Sequence, residues 1–201
     1  SIDWESLNLQ SKPEFGMGKF DKAMFLNGGG GALNVYDNIF IGGAGFTGSL
    51  QINGADTTNS TVNRTLSLSS NIAGPYLEAN FQPYGSLELN LGTGIYFGQT
   101  SLSVIKDSGT KSWSNIWDSF GDGDTDPSYV TNKISTSITV VNPYLSLRYP
   151  LTPWFGLDLS LGYFLTFYDP NGWEANDSPV ADKQEIGLSN TSFRISFIFG
   201  G

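Results

Sequence analysis

Near its C-terminal end the chain alternates between apolar and polar residues almost one by one. In Phe193-Arg194-Ile195-Ser196-Phe197-Ile198-Phe199 the odd positions are all apolar, and Arg194 and Ser196 stand between them. The stretch from Phe155 does the same for longer, setting Phe155, Leu157, Leu159, Leu161, Tyr163, Leu165 and Phe167 against Gly156, Asp158, Ser160, Gly162 and Thr166. Successive side chains of a strand point to opposite faces. Each stretch therefore predicts a strand with one apolar wall and one wall of glycine, small polar and charged residues. The same reading divides the chain into eight strand segments, near 14–26, 29–36, 38–53, 62–82, 86–106, 132–149, 154–169 and 188–199, with ten as the other count the pattern allows.

The breaks between segments alternate in length. Short ones fall at Asp37, at Pro83-Tyr84-Gly85 and at Pro150-Leu151-Thr152-Pro153, and longer polar ones at 54–61, 107–131 and 170–187. A glycine-rich connection at 27–31 is short where the alternation asks for a long one. A soluble sandwich also buries an apolar face, but long strands backed by charge suit a transmembrane barrel, with apolar residues toward lipid and polar ones toward the lumen. Short turns at one rim and long loops at the other fit the same architecture. The predicted fold class is all-β, a single domain over 1–201 forming an up-and-down antiparallel transmembrane β-barrel of about eight strands. Strands 62–82 and 86–106 exceed the roughly 9–11 residues a bilayer needs and should protrude from it. Bends in the alternation at Gly74-Pro75 and Val140-Val141-Asn142 predict bulges where the strands leave the membrane.

An internal repeat supports two of the hairpins. Pro75-Tyr76-Leu77 leads, past Pro83-Tyr84, to Leu87-Glu88-Leu89-Asn90-Leu91-Gly92; Pro143-Tyr144-Leu145 leads, past Pro153-Trp154, to Leu157-Asp158-Leu159-Ser160-Leu161-Gly162. Aligned on those glycines, the second copy carries two extra residues in its turn. The repeat pairs 62–82 with 86–106 and 132–149 with 154–169.

Composition narrows the function. With 14% charged and 39% hydrophobic residues the chain is not disordered, and 25 glycines and 9 prolines disfavour long helices. It has no apolar run of the roughly 18 residues a transmembrane helix requires. A net charge of −9 argues against nucleic acid as a partner, since phosphate neutralisation needs clustered Lys and Arg. Absence of cysteine excludes disulfides and thiolate metal sites. The start at Ser1, without Met or an apolar leader, is what a mature chain with its signal peptide removed would show.

At this point the residues resemble those of small Gram-negative outer-membrane β-barrels. The strand ending in Phe199 resembles the C-terminal aromatic signature read by the outer-membrane insertion machinery, although Gly200-Gly201 follow the aromatic. The Gly29-Gly30-Gly31 to Ile41-Gly42-Gly43 hairpin is similar to one in poorly characterised, porin-like barrels. The resemblance implies a fold, membrane lipid as a partner and an outer-membrane, cell-envelope location, and no activity.

Several groups carry candidate chemistry. By alternation Glu78, Glu88, Arg148, Asp158 and Arg194 face away from lipid, each a few residues from a short turn. Two arginines could there bridge three carboxylates, because the planar guanidinium binds carboxylates in pairs. Such a group reads as a gated polar channel or an acid/base pair, or more plainly as a salt-bridged plug in a barrel whose interior side chains just fill it. Enzymatic barrels employ histidine, and this chain has none. Asp122, Asp124 and Asp126 resemble the first half of a calcium loop. Pro127 stands where a glycine is expected and no closing Glu follows, so the plainer reading is a solvated acidic loop. Tyr84, Tyr149, Trp154 and Phe155 gather near the short turns, and Phe97, Tyr163, Phe167 and Tyr168 toward the long loops, as two aromatic girdles. Trp113, Trp117 and Trp173 sit in polar loops, where packing or a partner surface would use them.

The reading that follows is a non-enzymatic outer-membrane barrel with a structural or surface-interaction role, self-association included. The alternatives are a solute channel or ligand-binding barrel, and a secreted β-protein assembling into a surface layer or filament.

Overall fold

A computed structural model describes residues 23–55, 63–107, 129–176, 178–180 and 187–200. Among them are nine strands and no helix: β1 (Leu26–Tyr36), β2 (Ile39–Ala55), β3 (Asn63–Tyr84), β4 (Leu87–Asp107), β5 (Tyr129–Thr152), β6 (Phe155–Tyr168), the two-residue β7 (Glu174–Ala175) and β8 (Ser178–Pro179), and β9 (Asn190–Phe199). They form one antiparallel up-and-down sheet in the order β1-β2-β3-β4-β5-β6-β9, with β7 and β8 hung as a small hairpin on β5. Among the described residues β1 and β9 pair with one neighbour each, so the sheet is not closed into a barrel. It is nevertheless strongly curled, because Ala44 and Phe46 of β2 pack on the same cluster as Phe164 and Tyr168 of β6.

The end of the sheet that carries the short turns is here called lower. The turn at Asp37-Asn38 holds Asp37 at φ 43°, and Asn34 Nδ2 donates to the Asp37 carbonyl at 2.7 Å. The turn after Tyr84 uses Gly85 at φ 54°, where a side chain would be strained. The predicted break at 150–153 is narrower than expected, since β5 runs on to Thr152 and only Pro153-Trp154 separate it from β6. The expected loop at 170–187 contains β7 and β8, and Ala175 pairs with Ile134.

Three expectations need correction. The glycine-rich stretch 27–31 is no connection but the upper half of β1, where Gly28, Gly29, Gly30 and Gly31 pair with Phe46, Gly45, Ala44 and Gly43. Ladder bonds use backbone alone, and a Cβ on Gly28 or Gly30 would meet a carbonyl of β2. The first expected strand, 14–26, lies outside the described residues except at its end, where Ala23 to Phe25 form no strand and Leu26 opens β1. The second hairpin carries no extra turn residues: Tyr76 pairs with Gly94 and Tyr144 with Gly162, and Tyr84 pairs with Leu87 as Thr152 pairs with Phe155. The glycine equivalent to Gly162 is thus Gly94, and each hairpin shifts register at the same place, between Phe81 and Tyr84 and between Pro150 and Thr152.

The expected bulges at 74–75 and 140–142 are also absent. Register holds from Asn63 to Ala79 between β3 and β2, and the β5–β6 pairs above and below Asn142 share one register. What changes there is chemistry rather than geometry. Along β3 the even residues stay inside throughout, yet they pass from Leu66, Leu68 and Ile72 above to Tyr76, Glu78 and Asn80 below. The odd residues outside pass from Thr65, Ser67, Ser69 and Asn71 above to Leu77 and Phe81 below. β5 inverts in the same way, with Ile138 and Val140 above Tyr144, Ser146 and Arg148 inside, and Ser135, Ser137 and Thr139 above Leu145, Leu147 and Tyr149 outside. The upper sheet therefore encloses an apolar core behind a polar outer wall, and the lower sheet encloses polar groups behind an apolar outer wall.

Candidate functional site

Three successive interior rows of the lower sheet hold the charged residues. Cross-strand pairing sets Glu88 beside Arg148 and Arg148 beside Asp158. One row higher, Asn80, Asn90, Ser146, Ser160 and Arg194 follow one another across five strands. The next row brings Glu78, Gly92, Tyr144 and Gly162 together. Strand pairing alone thus collects the five charged residues singled out in the sequence from five different strands.

Arg148 is the hub. Its Nη2 donates to Glu78 Oε1 at 2.9 Å, its Nη1 lies 3.6 Å from Glu88 Oε2, and its Nε lies 3.7 Å from Asp158 Oδ2. Only the first is a direct hydrogen bond; the others are ion pairs at longer range. Arg194 completes the group, with Nη2 3.7 Å from Asp158 Oδ1 and its guanidinium 5.1 Å from the centre of the Tyr144 ring. Glu78 and Asp158 are almost fully buried, at 3% and 1% exposure, so their charges depend on these partners.

Uncharged groups bind the cluster together. Tyr144 Oη donates to Glu78 Oε2 at 2.9 Å. Asn80 Nδ2 donates both to Glu88 Oε2 at 2.8 Å and to Asn90 Oδ1 at 2.7 Å. Asn90 then donates to Ser146 Oγ at 3.2 Å, and Ser146 to Asp158 Oδ2 at 2.8 Å. Glycines make room for the larger rings: a Cβ on Gly92 would run into the Tyr144 ring, and one on Gly42 into Tyr76. Asn80, Asn90, Ser146 and Tyr144 were not singled out in the sequence. Their even numbering, shared with Glu78, Glu88 and Arg148, is the signal that finds them. Chemically the cluster clamps carboxylates in place, and Ser146 is engaged on both sides and buried.

Above the cluster the interior is mostly apolar, with Ser70, Thr100 and Thr136 buried in it and the Ser70 and Thr100 hydroxyls hydrogen-bonded at 3.2 Å. Ile72, Tyr96, Ile138 and Val140 form one buried group, with Leu188 packed on it, and Leu66, Leu68 and Leu102 another, onto which Met24 and the same Leu188 pack. Trp173 is a buried part of this end of the molecule, edge-on to Tyr168 at 5.9 Å. Tyr168 itself alternates inward and joins the core, so it leaves the expected upper girdle.

The outer wall orders the other aromatics. Phe97 pairs with Thr139 and Thr139 with Phe167, which places both phenylalanines in one exposed row. Tyr163 stands two rows lower, within the apolar wall. Below, Trp154, Phe155, Phe197 and Phe199 stack on one another across β6 and β9, with Trp154–Phe199 at 6.5 Å and Phe155–Phe197 at 6.0 Å. Tyr84 and Tyr149 are exposed near the same rim. Asp122, Asp124, Asp126, Trp113 and Trp117 lie outside the described residues. Comparison with family models, with curated proteins and with solved structures gives no match.

Proposed function

We propose that this chain is a non-enzymatic integral outer-membrane β-barrel with a structural or surface-interaction role, sealed rather than conducting. One observation carries the reading: a belt of predominantly apolar outward residues on the outer wall gives way to a polar row. On β4 the belt runs from Leu87 through Leu89, Leu91 and Ile95 to Phe97, broken by Thr93, and on β5 from Val141 to Leu151. Directly above it, Asn27, Thr47, Asn71, Gln99 and Ser137 are consecutive partners across five strands. At ~3.3 Å per residue, the span from Leu87 to Phe97 is roughly 33 Å along the strand. Tilted by about 40°, that gives a band about 25 Å tall, the height of the lipid-facing belt of such barrels. In water a belt of this extent would drive association, whereas lipid satisfies it with nothing left over. The stacked aromatics at the lower rim and the row of Phe97 and Phe167 at the upper one supply the two interfacial girdles.

Closure belongs to the same proposal. β1 and β9 run in the same direction, both downward, so an antiparallel barrel takes one more strand between them, running upward. The segment expected as a strand over 14–26 precedes β1 in the chain and lies outside the described residues except at its end. Membrane lipid is the principal partner, with the insertion machinery reading the Phe193 to Phe199 strand.

The test compares boiled and unboiled protein on a denaturing gel after detergent extraction of membranes. A shifted unboiled band, found only in the membrane fraction, is the expected result, and recovery in a detergent-free soluble or filamentous fraction overturns the membrane reading.

A further inference from the structure

The apolar wall is not uniform. In the row just beneath the polar one, Gly29, Gly45, Ala73, Phe97, Thr139 and Phe167 follow one another across six strands. Its first three members have little or no side chain, and the wall drops there beside the exposed Phe97 ring. The step is a groove of about 450 Å³, open to the outside, with Gly28, Gly45, Phe46, Ile72 and Ala73 as its floor and Phe97 as its side. Sites for small organic ligands span roughly 300–1,000 Å³. The groove's upper lip is polar and uncharged: Asn27, Thr47 and Asn71, with Thr47 Oγ1 donating to Asn71 Oδ1. That bond uses the acceptor end of the Asn71 amide, whose Nδ2 carries two N–H donors.

We propose that this groove holds one lipid of the surrounding bilayer, with an uncharged, hydroxyl-bearing headgroup such as a sugar. The proposal rests on the membrane reading given above. An acyl chain lies against Gly45, Ala73 and Phe97, where it restores dispersion contacts that the missing side chains forfeit. The headgroup lies across Asn27, Thr47, Asn71 and Gln99, which offer donors and acceptors and no charge. In the four rows that rise above the belt across β2 to β5, Lys133 is the only ionised outward side chain, two rows above Ser137. Among the described residues a phosphate-bearing headgroup at the lip therefore meets no cation, whereas a neutral polyol meets hydrogen-bonding partners at the level where headgroups begin.

Space around the glycines makes the test clean. A Cβ on Gly45 comes no closer than 3.4 Å to Ala73 Cβ, so Gly45→Leu fills the groove without disturbing the ladder. Gly43 faces the same way one row lower, outside the groove, with nothing closer than 3.8 Å, so Gly43→Leu is the matched control. The full chain is reconstituted in nanodiscs of phosphatidylcholine doped equally with monoglucosyl diacylglycerol and with phosphatidylglycerol, then released for native mass spectrometry. Expected is one retained glucolipid per chain, favoured about tenfold over either phospholipid. Gly45→Leu abolishes retention, Gly43→Leu keeps it, and Asn71→Ala keeps a bound lipid but loses the headgroup preference. Equal retention of all three lipids by the wild type, or retention indifferent to Gly45→Leu, overturns the proposal. Protein that fails to float with liposomes refutes the membrane reading and the groove with it; protein that floats but selects no lipid refutes the groove alone.

Discussion

Arg148 is the residue on which most of the lower interior depends, since among the described residues it is the one that reaches all three of Glu78, Glu88 and Asp158. Replacing it with methionine keeps much of the volume but strands buried carboxylates. Arg148→Met should cost about 3–5 kcal/mol, read as an earlier midpoint in urea unfolding. An unchanged midpoint would show that the hub contributes nothing. Gly92 makes a second prediction: its missing Cβ is where the Tyr144 ring lies, and Tyr144 in turn holds Glu78. Gly92→Ala should destabilise by about 1–3 kcal/mol through overpacking. Gly29→Ala, with open space around it, should stay within about 0.5 kcal/mol in the same assay. The five charged residues were legible from alternation because charge on an inward face is conspicuous. Asn80, Asn90 and Ser146 were not, because an uncharged polar residue looks the same in a loop, on a surface or in a network until its neighbours are known.

At the level of strands, hairpin pairing was readable and its fine register was not. The Pro-Tyr-Leu repeat pairs β3 with β4 and β5 with β6, yet aligning its glycines by eye displaces them by one inward position. Backbone bonding decides the matter, since Tyr76 and Tyr144 each face a glycine at the same distance along the hairpin. The bends in alternation at 74–75 and 140–142 mark no bulge. A bulge and an exchange of inside and outside chemistry leave the same trace in a sequence, because both make the apolar residues change parity. The exchange can be tested directly. Leu91 and Ser69 both point outward, one in the belt and one above it. Leu91→Arg should cost about 2–4 kcal/mol in the folded, bilayer-inserted protein, whereas Ser69→Arg costs little. If both substitutions are neutral, the belt faces water or protein rather than lipid.

For the whole molecule, closure of the sheet as proposed would set the two halves of the interior in series. The lower half is filled by the charge cluster, and the upper half by Leu66, Leu68, Ile72, Tyr96, Leu102, Ile138 and Val140. Loosening one leaves the other in place. The wild type should therefore give no unitary steps in planar bilayers, and Arg148→Met should remain silent as well. Conductance that appears on removing Arg148 would mean that the charged cluster is the gate of a pore. The upper half is largely apolar within and rich in Ser and Thr without.

From the order of residues alone came the strand-forming alternation, the two repeated hairpins, the lower turns and the inward charges. Each depends on neighbours one or two positions apart, or on a local turn, and such information is written along the chain. The tertiary structure decided which uncharged groups complete the cluster, that the glycine run 27–31 is a strand, that Tyr168 and Trp173 belong to the core, and that the wall hollows beside Phe97. Those depend on the opposite strand, whose register is set by backbone hydrogen bonds between residues far apart in sequence, and no local pattern encodes it.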